Sequence, residues 1–353
     1  MTRIIRVDPV NFEPGELAPA AEAIRTGGLV AFPTETVYGL GADAFNGRAC
    51  LRIFEVKQRP ADNPLIVHIS SFDQLNEVAE ARRLEALKRA WPGPLTVILR
   101  KRPGVPAEVT AGLDTVAVRM PAHPVALRLI EMSERPIAAP SANISGRPSP
   151  TTGRTVIREL YGRVDVIIDA GETFFGVEST IVDLTKDPPV LLRPGPFTPE
   201  ELEALFGEVV IPEEARGVSD FKQALAPGMK YRHYAPQKRL FLALNDDVLK
   251  DAVEIVKVPF AMLVSQEKME ELSRRAGDNV RFIVLGTETN LYTVARSLFE
   301  SFRRLDELDV KFGLIQAFEE QGIGLAIMNR IRKACGRSYV RSAEELMKEI
   351  SEL

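Results

Sequence analysis

The chain has 353 residues, 45% hydrophobic and 27% charged, so it can bury a substantial core and is long enough for two domains. Its formal net charge of -4 and pI near 5.7 argue against a protein whose main task is to grip nucleic acid, although they allow a local basic pocket. The two cysteines, at 50 and 335, are far apart, and the three histidines do not cluster with them. A structural zinc site or a disulfide framework is therefore not expected.

The N-terminus lacks the apolar core of a signal peptide, and no stretch reaches the roughly 18 apolar residues of a membrane span. We therefore expect a cytoplasmic protein with no membrane contact.

Apolar runs alternate with helical patterns in the first part of the chain. A helical stripe from Leu17 to Ile24 stops at Gly27 and Gly28, and residues 29–32 form a buried strand before Pro33. Further strands are expected at 65–69, 95–99, 115–119, 137–139, 164–168, 179–184 and 190–192, and helices at 47–57 and 123–132. Their number and spacing predict a twisted mixed sheet with flanking helices over residues 1–206.

Residues 207–238 have no sustained period and are predicted to form a linker. One interpretation is disorder. The segment 227–236, however, combines Met229, Tyr231, His233 and Tyr234 with two cations, too many rings and charges for a mere spacer. We expect an ordered flap over the active site.

The alternation is cleaner in residues 239–353. Strands are expected at 240–244, 260–265 and 280–285, followed by a helix whose apolar stripe runs from Leu291 to Leu305. This pattern predicts a smaller, Rossmann-like parallel α/β domain.

The segment Pro33-Thr34-Glu35-Thr36-Val37-Tyr38-Gly39-Leu40-Gly41 places hydroxyls just past a buried strand, where α/β proteins bind ligands. Residues 39–44 also match the dinucleotide fingerprint with alanine in the last place. The fingerprint needs its first glycine directly after the strand, and here residues 33–38 intervene. A basic, proline-rich segment at 59–64 also replaces the acid that would bind ribose. Neither a nicotinamide nor a flavin cofactor is expected.

Lys57 and Arg59 present two cations where a helix ends, with Asn63 and His68 nearby in sequence. This set suits polyanionic phosphate, although a solvated helix end also favours cations. The hydroxyl- and amide-rich loop 140–149 follows a short strand and is typical of anion binding through backbone N–H groups.

Further donors stand at strand ends. Arg119 closes one strand and could pair with a carboxylate, while Ser179, Thr180 and Arg193 add donors at others. Each alone could be a cap or a surface ion pair. Together they predict a polar, cationic nucleotide pocket.

Taken together, these motifs resemble the YrdC-like family, in particular its two-domain L-threonylcarbamoyladenylate synthases. The family's Lys-x-Arg and Ser-x-Asn signature stands here as Lys57, Arg59, Ser141 and Asn143. The segments PTETVYGLG, RPADNPL, WPGPLT, PSAN and PGMKYRHYAP agree with the family pattern in order, and residues 322–330 resemble a late motif of its C-terminal domain.

The resemblance implies ATP-dependent synthesis of L-threonylcarbamoyl-AMP from L-threonine and bicarbonate or CO2, with release of pyrophosphate. This is the first step of the threonylcarbamoyladenosine modification of tRNA. The product would pass to a separate tRNA threonylcarbamoyl transferase, so direct tRNA binding is not required. Mg2+ is expected with ATP, and zinc is not expected.

The resemblance also implies roles for individual residues. Lys57, Arg59, Ser141 and Asn143 would be catalytic. The implied ATP-binding residues are Lys57, Arg59, Asn63, Thr115, Ala139, Asn143, Ser149, Arg193 and Tyr234. The implied L-threonine-binding residues are Thr36, His68, Arg119, Ser141 and Ser179.

Other interpretations stay open at this point. His68 could be a satisfied buried histidine and Tyr234 a packing residue. The chain could instead be a double-stranded RNA-binding module without catalysis. It could also be a carbamoyl-phosphate-using enzyme, although related domains in hydrogenase maturation factors carry extra segments that this chain lacks.

Overall fold

A computed structural model describes residues 1–229, 234–336 and 338–352. Contacts divide the chain into two compact units. The first comprises residues 1–145 and 149–215 with the segment that begins at Ser219. The second comprises residues 146–148, residues 216–218 and the C-terminal part that includes everything described from Tyr234 onward.

The first unit contains ten strands among its described residues, and they form one mixed sheet. The strands are β1 (Arg3–Arg6), β2 (Val30–Phe32), β3 (Gly39–Asp43), β4 (Ile66–His68), β5 (Leu95–Arg100), β6 (Thr115–Arg119), β7 (Ile137–Ala139), β8 (Val166–Asp169), β9 (Thr180–Asp183) and β10 (Val190–Arg193). The helices are α1 (Ala18–Arg25), α2 (Gly47–Lys57), α3 (Phe72–Val78), α4 (Leu84–Ala90), α5 (Ala107–Thr110), α6 (Pro124–Ser133), α7 (Gly153–Leu160) and α8 (Pro199–Phe206). The strand order is β1-β8-β2-β3-β7-β4-β6-β5-β9-β10.

Local chemistry fixes the ends of the helix that carries the first signature residue. The Asn46 side chain accepts a hydrogen bond from the Ala49 amide and so caps the start of α2. Gln58 ends the helix in the left-handed conformation, with φ 52°. Lys57 is therefore the last residue of the helix, and Arg59 leaves it in the following turn.

Two apolar clusters cover different parts of the sheet. Helices α1 and α6 pack on β2, β7 and β8 through a cluster that includes Ile24, Phe32 and Leu129. Further along, the linker residues Ala224 and Met229 pack on β4, β5, β6 and β9. Each fully buried Leu, Ile, Phe or Met side chain contributes roughly 1.5 to 3 kcal/mol through apolar area removed from water.

The second unit is built around five parallel strands in the order β13-β12-β14-β11-β15 among its described residues. The strands are β11 (Arg239–Ala243), β12 (Phe260–Val264), β13 (Val280–Val284), β14 (Phe312–Gln316) and β15 (Tyr339–Val340). The helices are α9 (Asp246–Ile255), α10 (Gln266–Leu272), α11 (Leu291–Glu307), α12 (Gly324–Cys335) and α13 (Ala343–Ile350). Two 3-10 turns, Pro14–Leu17 and Glu213–Arg216, complete the helical elements of the described chain.

The predicted fold class is confirmed: a mixed sheet with flanking helices, and a separate parallel α/β sheet. One local interpretation changes. Gly39 and Gly41 belong to strand β3, which pairs with β2 in antiparallel register, rather than to a loop at a crevice. A Cβ on Gly41 would lie 2.5 Å from Ile137 and 2.8 Å from the Phe32 ring, so close packing explains this glycine.

The two glycines of the late motif, Gly322 and Gly324, stand where the chain enters α12. A Cβ on Gly324 would lie 1.8 Å from the backbone oxygen of Glu319, and Gly322 has a φ of 54°. The turn that enters α12 explains both glycines.

Candidate active site

Strand register brings distant polar residues together on the sheet of the first unit. His68 on β4 pairs with Arg119 on β6, and Thr96 on β5 pairs with Arg119 from the other side. Directly paired residues point to the same face of a sheet, so these three side chains form one row. The edge of the Phe32 ring meets the His68 ring at a centroid distance of 5.8 Å, which places the row beside the cluster under α1 and α6.

Arg119 is the central cation of this row and is 3% exposed. Its Nε donates to the Gly93 carbonyl at 3.3 Å, and its Nη1 donates to the Thr36 hydroxyl at 2.8 Å. Its Nη2 lies 2.5 Å from a carboxylate oxygen of Glu35 but makes no well-directed hydrogen bond with any described residue. Two nitrogens of the guanidinium are therefore fixed by hydrogen bonds to the protein, and the third faces the Glu35 carboxylate in an ion pair that a ligand carboxylate could exchange.

The loop after β2 delivers Thr36 to this guanidinium. The Thr34 hydroxyl donates to the Val37 carbonyl at 2.6 Å and lies 2.8 Å from the Thr36 hydroxyl. It also accepts the backbone amides of Thr36 and Val37. Such a turn, built around one hydroxyl, fixes the loop without any repeating secondary structure.

Ser179, the residue directly before β9, extends the same row by contacting Thr96. Its hydroxyl lies 2.8 Å from the Thr96 hydroxyl and accepts a hydrogen bond from Arg193 Nη2 at 3.2 Å. Arg193 Nε also donates to the Ser179 carbonyl at 3.0 Å. Hydrogen bonds thus join Thr36 to Arg119, and Arg193 to Ser179 and Thr96. The two groups meet in the sheet, where Thr96 and Arg119 are paired.

Lys57 and the Ser-x-Asn loop form a second polar group. The Lys57 ammonium donates to the Ser141 carbonyl, and to the Asn143 carbonyl at 2.6 Å. The Ser141 hydroxyl donates to the Asn143 side-chain oxygen at 2.5 Å. Burial, and next the charge of Arg59, hold the pKa of Lys57 well below its usual value. Backbone bonds from Leu40 to Pro140 and from Ala142 to Tyr38 tie this loop to the loop that carries Thr36.

Arg59 and Asn63 extend this second group. Arg59 is half-buried, lies over the Phe54 ring at 5.5 Å, and donates to the Asn63 carbonyl at 3.0 Å. The Asn63 side chain is 1% exposed, yet neither its oxygen nor its nitrogen has a hydrogen-bond partner among the described residues. The buried Thr115 hydroxyl also lacks one. Buried polar atoms of this kind call for a partner from outside the chain.

Ser149 and Ala139 lie on the Ser-x-Asn side of the pocket. The buried Ser149 hydroxyl donates to a carboxylate oxygen of Glu178, the residue before Ser179. Ala139 is the last residue of β7 and pairs with Ile66. The loop that carries Ser141 and Asn143 begins at the next residue.

The two histidines near Arg119 are neutral at physiological pH. Burial and the Arg119 charge lower the pKa of His68 to about 3. Burial also lowers the pKa of His123 to about 4, with Glu35 opposing the shift. His123 caps α6 by accepting the Val125 amide, and it is electrostatically coupled to the Arg119 and Glu35 pair. The positive charge at this end of the pocket therefore comes from Arg119.

Tyr234 belongs to the second unit. It is buried, stacks on Phe299 at a centroid distance of 5.2 Å, and has the Arg330 guanidinium 5.8 Å from its ring centre. Its role towards ATP stays a prediction. Tyr231 and His233, from the same aromatic run, lie outside the described residues.

The linker from Ala224 to Met229 packs on the sheet of the first unit. Ala224, Ala226 and Met229 are buried against Ile66 and other residues of β4, β5, β6 and β9. The Pro227 carbonyl accepts a hydrogen bond from Arg193 Nη1 at 2.9 Å. This part of the linker is therefore ordered and lies on the same sheet face as the polar row.

Sequence reasoning missed three polar residues here: Glu35, Thr96 and His123. Their proximity to Arg119 follows from the three-dimensional structure, in which β4, β5 and β6 pair in a defined register. Glu35 stands within the conspicuous hydroxyl-rich segment, which is the one signal that could have found it.

Comparisons with known proteins agree with this geometry. A Sua5/YciO/YrdC family model, described as telomere recombination, matches residues 22–195, and a model described as the threonylcarbamoyl-AMP synthase C-terminal domain matches 197–336. The threonylcarbamoyl-AMP synthase of Pyrococcus abyssi is 49% identical over 345 residues, covering 97% of this chain and 100% of the relative. The chain belongs to the threonylcarbamoyl-AMP synthase family.

Two further comparisons support the same family. The threonylcarbamoyl-AMP synthase of Bacillus subtilis is 43% identical, covering 95% of this chain and 97% of the relative. The crystal structure of P. abyssi Sua5 complexed with L-threonine matches with a TM-score of 0.87 at 46% identity, covering 97% of this chain and 99% of that one. The family resemblance predicted from the motifs is confirmed, and with it the prediction of an enzyme.

No group of three or more His, Cys, Asp or Glu side chains suited to a metal ion occurs within residues 1–229, 234–336 and 338–352. No helix in that part of the chain is long and apolar enough to cross a membrane.

Proposed function

We propose that this chain joins L-threonine, bicarbonate or CO2, and ATP to form L-threonylcarbamoyl-AMP and pyrophosphate, the first step of tRNA threonylcarbamoyladenosine formation. The observation that carries this proposal is the pairing of two polar groups in one unit. A guanidinium whose Nη2 faces only the Glu35 carboxylate, and which suits an amino-acid carboxylate, shares its unit with a buried set of cations and amides suited to a triphosphate. The P. abyssi and B. subtilis relatives carry the name of this activity.

At the amino-acid end, Arg119 would bind the threonine carboxylate through Nη2, while Thr36 and Ser179 hold the guanidinium row in place. His68, neutral because of its lowered pKa, would offer a ring nitrogen to the substrate without adding charge. Ser141, with the Lys57 ammonium on its carbonyl, would close this end next to the nucleotide.

At the nucleotide end, Lys57, Arg59 and Asn143 would bind phosphate oxygens. The remainder of this end would be lined by Asn63, Thr115, Ala139, Ser149 and Arg193. The carbonyl contacts of Lys57 would be exchanged for phosphate oxygens as ATP binds. Mg2+ would enter with the triphosphate as part of the substrate and neutralise phosphate charge.

The chemistry asks for positioning more than for acid-base groups. The threonine amine captures CO2 as a carbamate, whose oxygen attacks the α-phosphorus of ATP while the bond to the departing pyrophosphate breaks. Holding the carbamate and the phosphorus in line, and neutralising charge on the phosphates, supplies most of the acceleration in such transfers. The pocket accordingly offers cations, hydroxyls and amides.

The activity is tested by incubating the protein with ATP, Mg2+, bicarbonate and either L-threonine or L-serine, followed by mass analysis of the adenylate. We expect a threonine-dependent adenylate and stoichiometric pyrophosphate. Absence of that adenylate contradicts the proposal. Salt-dependent affinity for double-stranded RNA without adenylate formation would instead favour a binding module.

The linker would act as a flap that excludes water from the mixed anhydride. Its support is the packing of Met229 on the sheet and the hydrogen bond from Arg193 to Pro227. Met229→Gln should loosen this contact and shorten the lifetime of the product, whereas Met347→Gln, at a 39% exposed methionine of the second unit, should not. Deleting residue 207 to the C-terminus is a harsher form of the test. Unchanged turnover and unchanged product lifetime in the Met229 variant would contradict the flap.

After synthesis, the product would pass to a separate transferase that acts on tRNA. Direct tRNA binding is not required for this role. The cytoplasmic location stays a prediction.

A further inference from the structure

We infer that Glu35 binds the α-amino group of the amino-acid substrate and so makes the pocket specific for a zwitterion. This inference rests on the proposed function, since it assigns a residue to the threonine end of the same site. The juxtaposition that carries it is a buried carboxylate without hydrogen bonds, in ion-pair contact with Nη2 of Arg119.

Glu35 is an unusual carboxylate because it is buried without the bonds that buried carboxylates need. It is 7% exposed, and neither oxygen accepts a hydrogen bond from any residue within the described ranges. Its one strong contact is the charge of Arg119, whose Nη2 lies 2.5 Å away. A buried carboxylate offers about four acceptor sites, so a ligand with several N–H donors would complete it.

The surrounding side chains offer Glu35 no hydrogen-bond donor or counter-ion besides Arg119 among the described residues. His68 and His123 are neutral, because burial lowers the pKa of His68 to about 3 and that of His123 to about 4. His123 Nδ1 accepts the Val125 amide, and neither Glu35 oxygen accepts a hydrogen bond from the other nitrogen of this ring. The Thr34 hydroxyl donates its proton to the Val37 carbonyl, so the Thr36 hydroxyl, 2.8 Å away, donates to Thr34 and not to Glu35.

Charge balance favours an amino acid over any other carboxylate ligand. In the free pocket the Arg119 charge is balanced by Glu35 alone among these groups. A ligand that brought only a carboxylate would displace Glu35 and leave a buried negative charge without a counter-ion, which is strongly unfavourable. A zwitterion inserts without changing the net charge, because its carboxylate pairs with Arg119 and its ammonium pairs with Glu35. Carbamate formation adds CO2 to the nitrogen and releases two protons from the ammonium to water, so the nitrogen keeps one N–H that can still donate to Glu35.

The test compares two ligands in two proteins by calorimetric titration without ATP. The ligands are L-threonine and (R)-3-hydroxybutyrate, which has the same carboxylate and hydroxyl but no amino group. In the unchanged protein we expect threonine to bind about tenfold to a hundredfold more tightly, the factor that a charge-assisted hydrogen bond supplies. In Glu35→Gln we expect threonine to lose about tenfold or more, and the difference between the two ligands to fall below about threefold.

Two further variants distinguish a specific role of Glu35 from a general effect of removing a carboxylate or from poor folding. Glu131→Gln removes an exposed carboxylate of α6 and should leave both dissociation constants unchanged. Glu35→Asp keeps the charge and should recover part of the preference for threonine, which gives a second reading if the glutamine variant folds poorly. Thermal melting reports the folded fraction of each protein.

Two outcomes overturn the inference. An equal loss of both ligands in Glu35→Gln would mean that Glu35 only orients Arg119, and unchanged threonine binding would mean that it has no role in binding. Failure of the proposed function is a different result: the unchanged protein would then make no threonine-dependent adenylate, whatever the two ligands show.

Discussion

Each unit has a cluster of polar side chains at the ends of its strands, and the two clusters differ in how the hydrogen bonds of their buried members are completed. In the second unit, the Ser265 amide donates to the Gln316 side-chain oxygen at 2.8 Å, and the Gln316 nitrogen donates to Glu288 at 2.6 Å. The Ser265 hydroxyl also donates to Glu288 at 2.8 Å. This cluster closes on itself.

The cluster in the first unit is open. The side chain of Asn63, the hydroxyl of Thr115 and both carboxylate oxygens of Glu35 are buried without hydrogen-bond partners in the described chain. An unmade bond at a buried polar group costs about 1 to 3 kcal/mol, so these groups favour a partner from outside the chain, either water or a ligand that displaces it. Incomplete hydrogen bonding thus distinguishes a binding site from a stabilising network more sharply than position at a strand end does.

The largest effect expected from this difference is at Arg119. Arg119→Gln should lower kcat/KM for threonine by roughly a thousandfold, because the substrate carboxylate loses its partner and Glu35 is left without a counter-ion. Threonine-dependent pyrophosphate release, measured per folded molecule, gives this ratio. Arg128→Gln, at an exposed arginine of α6, is the control. A loss of less than tenfold would place the carboxylate elsewhere.

In the closed cluster, substitution should change stability instead of turnover. Gln316→Leu leaves the buried Ser265 amide without its acceptor and removes one of the two side-chain donors to Glu288, so the free energy of unfolding of the second unit should fall by about 1 to 3 kcal/mol. Denaturant unfolding measures this change. Turnover at saturating substrates should stay within twofold. A large loss of turnover with unchanged stability would show that this cluster also serves the reaction.

His68 adds a pH-dependent cost to the open cluster. Its folded pKa of about 3 lies below the unfolded value of about 6.5, so the unfolded chain takes up a proton first as the pH falls. The contribution of neutral His68 to the free energy of unfolding is therefore complete above pH 6.5 and is lost as the pH falls from about 6.5 to 3. From pH 7 to pH 5, this one histidine should cost about 2 kcal/mol of unfolding free energy. His68→Gln should lose correspondingly less over the same interval, as urea titrations at both pH values would show. Equal losses in both proteins would mean that His68 is protonated in the native state.

The sequence predicts one part of the site well because that part is local. Lys57 and Arg59 follow from one helix end, and Ser141 and Asn143 from one loop after an apolar strand. Strands of three to six residues, by contrast, do not fix their own register, and the row of His68, Arg119 and Thr96 depends on it. Glu35 can be recognised as a site residue only from its ion pair with Arg119, which lies on one of these strands.

Strand β3 shows the same limit in the fold. Its sequence, Gly-Leu-Gly-Ala-Asp, has low β propensity and resembles a turn or a phosphate loop. It is a strand because the Phe32 ring and Ile137 occupy the space where side chains at residues 39 and 41 would stand. Tertiary packing therefore overrides local preference at this point, whereas the amphipathic stripe of α11 is decided by its own sequence.

Asn63 gives the smallest effect and the sharpest contrast with Gln316, since both are buried amides that can be replaced by leucine. Because the Asn63 side chain has no hydrogen-bond partner in the free protein, Asn63→Leu should leave the free energy of unfolding unchanged or raise it by up to about 1 kcal/mol. The same change should raise KM for ATP by about tenfold, because the amide would bond the nucleotide, and should leave KM for threonine within twofold. If Asn63→Leu instead destabilises the protein as much as Gln316→Leu does, the open cluster is closed in solution, and its missing bonds do not mark a ligand site.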